Sequence, residues 1–257
     1  MVLSTEQRRE EIIALIRENG KVRVAELSKR YEISEVSIRK DLEVLEAQGQ
    51  LSRVHGGAVG LNKLYVNMDL SERFKTNAQA KRTLAEYAAT FIEDNDTIMM
   101  NAGTTLTYVL RAIRDKKNIT IVTNSVQNAT EAALFTSFNV ILLGGELDSK
   151  YQFTYGEDAI KQLENYHATK CILSVDGICA TSGLTLYYSN EASLAKKMIE
   201  CSGEVIVTAD SSKLGKNVFA RVTDASKMNV LITTETENRT ELEKLKKMGV
   251  KIFEAGI

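Results

Sequence analysis

The stretch that decides the reading is residues 24–59, VAELSKRYEISEVSIRKDLEVLEAQGQLSRVHGGAV. Val24, Leu27 and Tyr31 lie three and four positions apart, as do Ile38, Leu42 and Leu45, and such spacings stack side chains on one face of an α-helix. Two short helices are therefore predicted, each with one side to bury. Between them Glu32-Ile33-Ser34 is long enough only for a tight turn, and Ser34 is suited to cap the second helix by accepting a backbone N–H bond. This is helix-turn-helix spacing.

With Ile38 pointing inward and about 100° of rotation per residue, the outward arc of the second helix carries Val36, Ser37, Arg39, Lys40 and Glu43. That face is polar, short and partly cationic, as a helix laid into a DNA major groove should be. Arg39 is suited to guanine edges or to phosphate, Ser37 to base or phosphate, and Lys40 to phosphate as a point charge. Val36 suits a thymine methyl. The alternatives are that Val36 packs against a neighbouring loop and that the charges form a solvated helix face. After Gly49 closes the helix, residues 51–54 predict a strand, His55-Gly56-Gly57 a turn and residues 58–59 the returning strand, a hairpin wing. Arg53 and His55 beside that turn are placed to touch the DNA backbone or enter the minor groove; the alternative for His55 is a plain turn residue.

Residues 34–58, SEVSIRKDLEVLEAQGQLSRVHGGA, resemble the signature of the DeoR family of bacterial sugar-metabolism transcription regulators. That pattern runs from a recognition helix ending in an arginine-rich IRRDL-like segment to an R-x-HGGA wing. Lys40 stands where it usually has a second arginine, and lysine lacks the planar fork of a bidentate contact.

The chain of 257 residues is long enough for one large or two ordinary domains, and 44% hydrophobic with 26% charged residues is the composition of a soluble globular protein. Net charge is −1, and within residues 1–60 ten Lys/Arg cancel ten Asp/Glu. Overall charge thus gives no support for nucleic-acid binding, which rests on where the cations sit. Cys171, Cys179 and Cys201 are widely spaced and there are only two histidines, so metal-site spacing is absent and neither metal nor cofactor is expected. An odd thiol count without a signal peptide fits a reducing cytoplasm. No apolar run approaches the roughly 18 residues of a membrane span.

Residues 5–18 read as an amphipathic helix packed under the two-helix head, with Arg8 and Arg9 either reaching phosphate or simply solvated. Asn19-Gly20 ends it. The domain linker is placed at residues 61–72, leaving a DNA-binding domain over 1–60 and a second domain over 73–257. Residues 71–92 read as helical, with a stripe of Leu84, Ala85, Ala88, Phe91 and Ile92, and with Arg73, Lys75, Lys81 and Arg82 decorating the rest. This segment is expected to pack on the second domain and to carry a subunit contact.

From residue 97 short β-rich runs alternate with helices. Strands are predicted over 97–101, 119–123, 140–143, 170–175, 205–209, 230–233 and 250–253, and helices near 106–114, 126–134, 158–163, 191–201 and 240–248. The alternation predicts a largely parallel sheet covered on both faces. In such sheets ligands bind outside the carboxyl ends of the strands. There Asn101-Ala102-Gly103-Thr104-Thr105 enters a helix: Gly103 lets the backbone approach an anion, the next N–H groups point outward and two hydroxyls add donors, which suits a phosphate. An ordinary strand-to-helix turn is the alternative. Other strands end in Thr123-Asn124-Ser125, Gly144-Gly145-Glu146, Val175-Asp176-Gly177 and Ala209-Asp210-Ser211-Ser212-Lys213. Each alone has a helix-capping explanation. Together they suit a phosphorylated polyol: cations and N–H groups for phosphate, carboxylates and amides for hydroxyls.

NAGTT, VTNS, LLGGE, SVDGI and ADSSKLG stand in the order of the DeoR family's sensor domain, which is similar to ribose-5-phosphate isomerase. The resemblance covers nearly the whole chain. It implies an α/β protein with an N-terminal winged helix-turn-helix domain and a C-terminal Rossmann-like (ribose-5-phosphate isomerase-like) sensor domain. It also implies Gly103, Thr104 and Thr105 as a phosphate loop and Asp176 and Lys213 as sugar contacts, with Asn124, Glu191 and Lys196 as further candidates. For Glu191 and Lys196 the alternative is exposed helix charges. Asn101 replaces the aspartate usual before the family's AGTT. The expectation is a transcription regulator, most often a repressor in this family, acting as a dimer or tetramer on operator DNA under a phosphorylated sugar effector. Two other classes compete: a sugar-phosphate isomerase with an accessory head, and a DNA-binding domain whose second domain only oligomerises. The isomerase pattern resembling DGAD reads Asp176-Gly177-Ile178-Cys179 here, so its second carboxylate is missing and no catalytic residue is expected.

Overall fold

The computed structural model describes residues 4–19, 21–47, 50–54, 56–59 and 68–256. Gly20, Gly49, His55, Gly60 and residues 61–67 of the expected linker lie outside the described residues. Two compact units result, Met1–Met68 and Asp69–Ile257.

The first unit comprises α1 (Thr5–Asn19), β1 (Lys21–Arg23), α2 (Val24–Tyr31), α3 (Glu35–Ala47), β2 (Ser52–Val54) and β3 (Gly57–Val59). Ile12, Leu27, Ile38, Leu42 and Leu45 meet in its core, so the helical spacings bury the faces expected of them. Glu32 takes the left-handed conformation after α2, with φ 55°, and lets Ile33 N–H return to the Ser28 carbonyl at 3.2 Å. Ser34 then caps α3, its Oγ accepting from Ser37 N at 3.2 Å. β2 and β3 form the wing, and β1 adds a third antiparallel strand in the order β1-β3-β2. Three residues with only Val22 buried carry too short an alternation to be foreseen.

Arg8 and Arg9 depart from both expectations for them. Neither is free for phosphate nor merely solvated: Arg8 Nε meets Asp41 Oδ2 at 2.7 Å and Arg9 Nε meets Asp41 Oδ1 at 2.9 Å, with the Asp41 side chain only 3% exposed. They fasten α3 to α1.

The second unit is built on a seven-stranded sheet in the order β15-β14-β12-β9-β4-β5-β6. These strands are β4 (Thr97–Met100), β5 (Thr120–Thr123), β6 (Asn139–Leu142), β9 (Ala168–Ser174), β12 (Ser202–Thr208), β14 (Val230–Thr234) and β15 (Lys251–Ala255), all paired in parallel. The chain runs outward from β4 through β5 to β6, then returns to the other side of β4 as β9 and runs outward again. The direction of winding therefore reverses between β4 and β9, and open α/β sheets bind their ligands at the carboxyl ends of the strands beside such a reversal.

Around the sheet pack α4 (Leu70–Lys75), α5 (Ala78–Ala89), α6 (Thr104–Ala112), α7 (Val126–Phe135), α8 (Glu157–Leu163), α9 (Ser189–Glu200) and α10 (Arg239–Lys247). α4 begins inside the stretch read as linker. Leu84, Ala85, Ala88 and Ile92 are consumed in the core of this unit, so the segment packs on the second unit as expected. Outside the main sheet stand the hairpin β7 (Glu146–Asp148) with β8 (Phe153–Tyr155), and a small antiparallel sheet of β10 (Gly177–Cys179), β11 (Gly183–Leu186) and β13 (Ala220–Thr223). Among the described residues no helix is long and apolar enough to cross a membrane.

Candidate functional site

On the first unit α3 buries Ile38, Leu42 and Leu45 and exposes Val36, Ser37, Arg39, Lys40 and Glu43. Val36 is 71% exposed, which removes the alternative that it packs on a loop. Arg39 pairs with Glu35 one turn back at 2.5 Å, both exposed. Arg53 on the wing is held by Glu46, whose carboxylate accepts from the Arg53 backbone N–H and from Nε, each at 2.7 Å. Ser34 and Ser37 are exposed and their hydroxyls lie 3.0 Å apart. The exposed arc thus offers one apolar side chain, one hydroxyl, two cations and the Glu43 carboxylate, with the Ser34 hydroxyl at the helix start.

On the second unit the reversal between β4 and β9 is closed by one side chain. Asn101 Nδ2 donates to the Ser174 carbonyl at 3.0 Å and Oδ1 accepts from Ser174 N at 3.0 Å. Its Nδ2 also lies 3.3 Å from Glu191 Oε1. Two residues on, a Cβ at Gly103 would meet Ser174 Cβ at 2.7 Å. Glycine is required there by the neighbouring strand end, a nearer cause than an approaching anion. It leads into α6, whose first amides, at Thr104 and Thr105, belong to the set an α-helix leaves without intrahelical partners.

Beside Asn101 lies Glu191, in the first turn of α9, and near Glu191 lies Asp176, two residues beyond β9; both are buried. Asp176 Oδ2 accepts from Tyr187 N at 3.1 Å. Burial, and then the nearby Asp176 carboxylate, push the Glu191 carboxyl up to about 8. Burial also raises Asp176, against the pull of Lys213 and Arg73. Lys213 is half-buried in the 3-10 turn Ser211–Lys213 after β12, which Asp210 caps.

Asn124 is fully buried, its Nδ2 on the Thr154 carbonyl at 3.0 Å, so it pins the β7–β8 hairpin to the end of β5. Among the described residues its buried Oδ1 has no hydrogen-bond partner. Lys196 is exposed and about 140° round α9 from Glu191. The fold does not bring those two to one face.

Three basic residues at this site escaped the sequence reading. Lys81 is 5% exposed, its Nζ donates to the Arg73 carbonyl, and burial lowers it to about 8. Lys216 is lowered by burial and by Lys213. Arg73, half-buried on α4, stacks over the Tyr151 ring at 4.4 Å, and Tyr151 packs on Tyr188 with ring centres 4.9 Å apart. Lys81 was legible: it shares a face with Leu84, Ala85 and Ala88, and a lysine on the core stripe of a helix is anomalous. Arg73 sits in LSERFK, where no apolar period singles it out.

The site therefore combines helix-start amides and several cations with two carboxylates held toward the neutral form by burial. Such a set favours a guest that is anionic at one end and rich in hydroxyls at the other.

The DeoR-like helix-turn-helix domain family matches residues 8–63, and the DeoR C terminal sensor domain family matches residues 76–235. The chain belongs to the DeoR family. Among similar DeoR-type chains, the uncharacterized HTH-type transcriptional regulator YulB of Bacillus subtilis is 34% identical over 246 residues, 96% of this chain and 95% of that one. The putative aga operon transcriptional repressor of Escherichia coli O157:H7 is 32% identical over 257 residues, 99% of this chain and 96% of that one. The lactose phosphotransferase system repressor of Streptococcus mutans is 34% identical over 245 residues, 94% of this chain and 96% of that one. Among solved structures, ribose 5-phosphate isomerase from Plasmodium falciparum is similar over 54% of each chain with a TM-score of 0.41 and 19% identity. In architecture this DeoR-family chain is α/β, a winged helix-turn-helix unit followed by a parallel-sheet sensor.

Proposed function

We propose that this protein is a cytoplasmic transcription regulator, a repressor of a carbohydrate-utilisation operon, whose affinity for operator DNA is set by a phosphorylated sugar bound at the switch point of the sensor sheet. The observation that best supports the effector assignment is the burial of Glu191 and Asp176 at the β4–β9 switch point, with Glu191 3.3 Å from Asn101, which opens the loop into Thr104 and Thr105, and with Lys213 acting on Asp176. The amides and lysine serve phosphate, and the carboxyls serve hydroxyls. For the head, the exposed Val36, Ser37, Arg39 and Lys40 on a helix braced from behind support a major-groove contact, with Ser34 and Arg53 at its margins. The sugar operons named for the aga and lactose relatives support the carbohydrate reading.

A dimer or tetramer belongs to the proposal, because one small head reads too little DNA for operator specificity. Catalysis does not. Isomerisation needs a base and a partner for the developing enediolate, and Cys179 stands where the isomerase pattern has its second carboxylate.

Gel-shift titration tests the head: promoter DNA from upstream of the protein's own operon is expected to bind more tightly than random DNA at moderate salt. Equal affinity removes the proposal. For the sensor, a sugar phosphate should raise the melting temperature in proportion to its concentration. Replacing Thr104 with Phe should abolish that shift while operator binding persists. Turnover of any pentose or hexose phosphate by the purified protein would sink the non-enzymatic reading.

A further inference from the structure

α4 is a six-residue helix with no buried residue, and it is the first element after the first unit ends at Met68. A helix so short has no stability of its own. It is held by a few contacts. Asp69 and Glu72 form a capping box at its start. Phe74 lies edge-on to Tyr108, with ring centres 6.2 Å apart.

Further hold comes from Arg73, at the effector site. Lys81 Nζ grips the Arg73 carbonyl from α5, and the Tyr151 ring lies under its guanidinium at 4.4 Å. The Arg73 Nε is itself buried. That charge bears on Asp176 and on Glu191, from the end of β9 and the start of α9. A residue of the connecting helix thus sits inside the electrostatic field that the sensor builds for its ligand.

Resting on the effector reading above, we infer that α4 is a latch worked by the effector. Arg73 is a ligand-contacting residue, so occupancy of the sensor site and the fastening of the helix that leads to the DNA-binding unit are one equilibrium. The two carboxyls on which the Arg73 charge bears are weak partners, because burial favours their neutral forms. A phosphate dianion is a far stronger one, and its arrival draws the guanidinium inward and fastens α4. α4 is the element of this unit nearest in sequence to the head, and an allosteric coupling requires an element that both sites bias.

Hydrogen–deuterium exchange on the full-length protein, with ribose 5-phosphate, glucose 6-phosphate, fructose 6-phosphate or inorganic phosphate added in turn, tests this. A ligand that binds is expected to slow exchange both around Thr104 and Glu191 and across residues 70–76. Slowing at Thr104 and Glu191 with none across 70–76 overturns the latch and leaves the effector site standing. No slowing anywhere with any of the sugar phosphates removes the effector reading itself. In the same titrations Arg73→Met should weaken the effective ligand by about tenfold or more, the loss expected for one charge-assisted contact, and Arg73→Lys should recover part of it. Parent affinity in Arg73→Met overturns the inference.

Discussion

Asn101 supplies the rung that β4 and β9 lack where they part, its amide donating to and accepting from the backbone of Ser174 at 3.0 Å each way. Aspartate, the residue usual at this position in the resemblance, has no N–H for the Ser174 carbonyl and adds a charge beside Glu191 and Asp176. Asn101→Asp is therefore expected to cost about 1–3 kcal/mol, the loss of a buried partner, and to cost more at pH 8 than at pH 6. Urea denaturation at both pH values measures it. A variant as stable as its parent would show that Asn101 does not close the switch point.

Glu191 makes stability pH-dependent with a definite sign. Its carboxyl is raised from an ordinary 4.5 to about 8 by burial, then by Asp176. Between those values the folded protein holds a proton that the unfolded chain has released, so stability is fully present below about 4.5 and is lost as pH rises through about 8. Asp176 is raised too and acts in the same sense. In Glu191→Gln the melting temperature should fall less between pH 5 and 8 than in the parent. Parallel pH profiles for the two proteins would refute the assignment.

The head and the sensor were not equally legible. Ile38, Leu42 and Leu45 obey a single period within one helix, so sequence alone oriented α3 and named its exposed arc. The parallel sheet was likewise visible, because each β-rich run is followed by a helix. The sensor site draws on residues far apart in the unit, and only topology brings Arg73 on α4 to Asp176 and Glu191, and Lys81 on α5 to Asp210 and Lys213. Local pattern misled where a charge had a distant partner. Arg8 and Arg9 looked like surface charges of an amphipathic helix, and nothing within α1 announces Asp41, 33 residues beyond Arg8.

That trio is the point at which the head should be most fragile. Asp41 is buried beneath two guanidinium groups, and Arg8 is itself only 11% exposed. Removing the carboxylate leaves cations that cannot regain full hydration, a loss of about 3–5 kcal/mol for a broken buried pair. Asp41→Ala should lower the denaturation midpoint of the head and weaken DNA binding, whereas Glu43→Ala, two positions along on the exposed side of the same helix, should leave the midpoint nearly unchanged. Equal midpoints for the two variants would mean that the Asp41 cluster contributes little.

Arg39 and Lys40 are neighbours in sequence and both exposed, yet they should fail differently. An arginine fork that reads a guanine edge discriminates by about 1–3 kcal/mol, so Arg39→Ala should weaken operator binding by that amount and relax preference at one base pair. First it must leave Glu35, and Glu35→Gln should therefore tighten DNA binding slightly. Lys40→Ala should weaken operator and random DNA alike and lower the slope of log affinity against log salt by about 1, as expected for one lost phosphate contact. Val36→Ser should spare the salt slope and affect only sites with a thymine methyl beneath it. Salt-dependent fluorescence anisotropy on operator and scrambled duplexes separates these outcomes. Were Arg39→Ala and Lys40→Ala to lose the same affinity on both duplexes with the same change in slope, the arc would be a non-specific cationic surface and not a reading face.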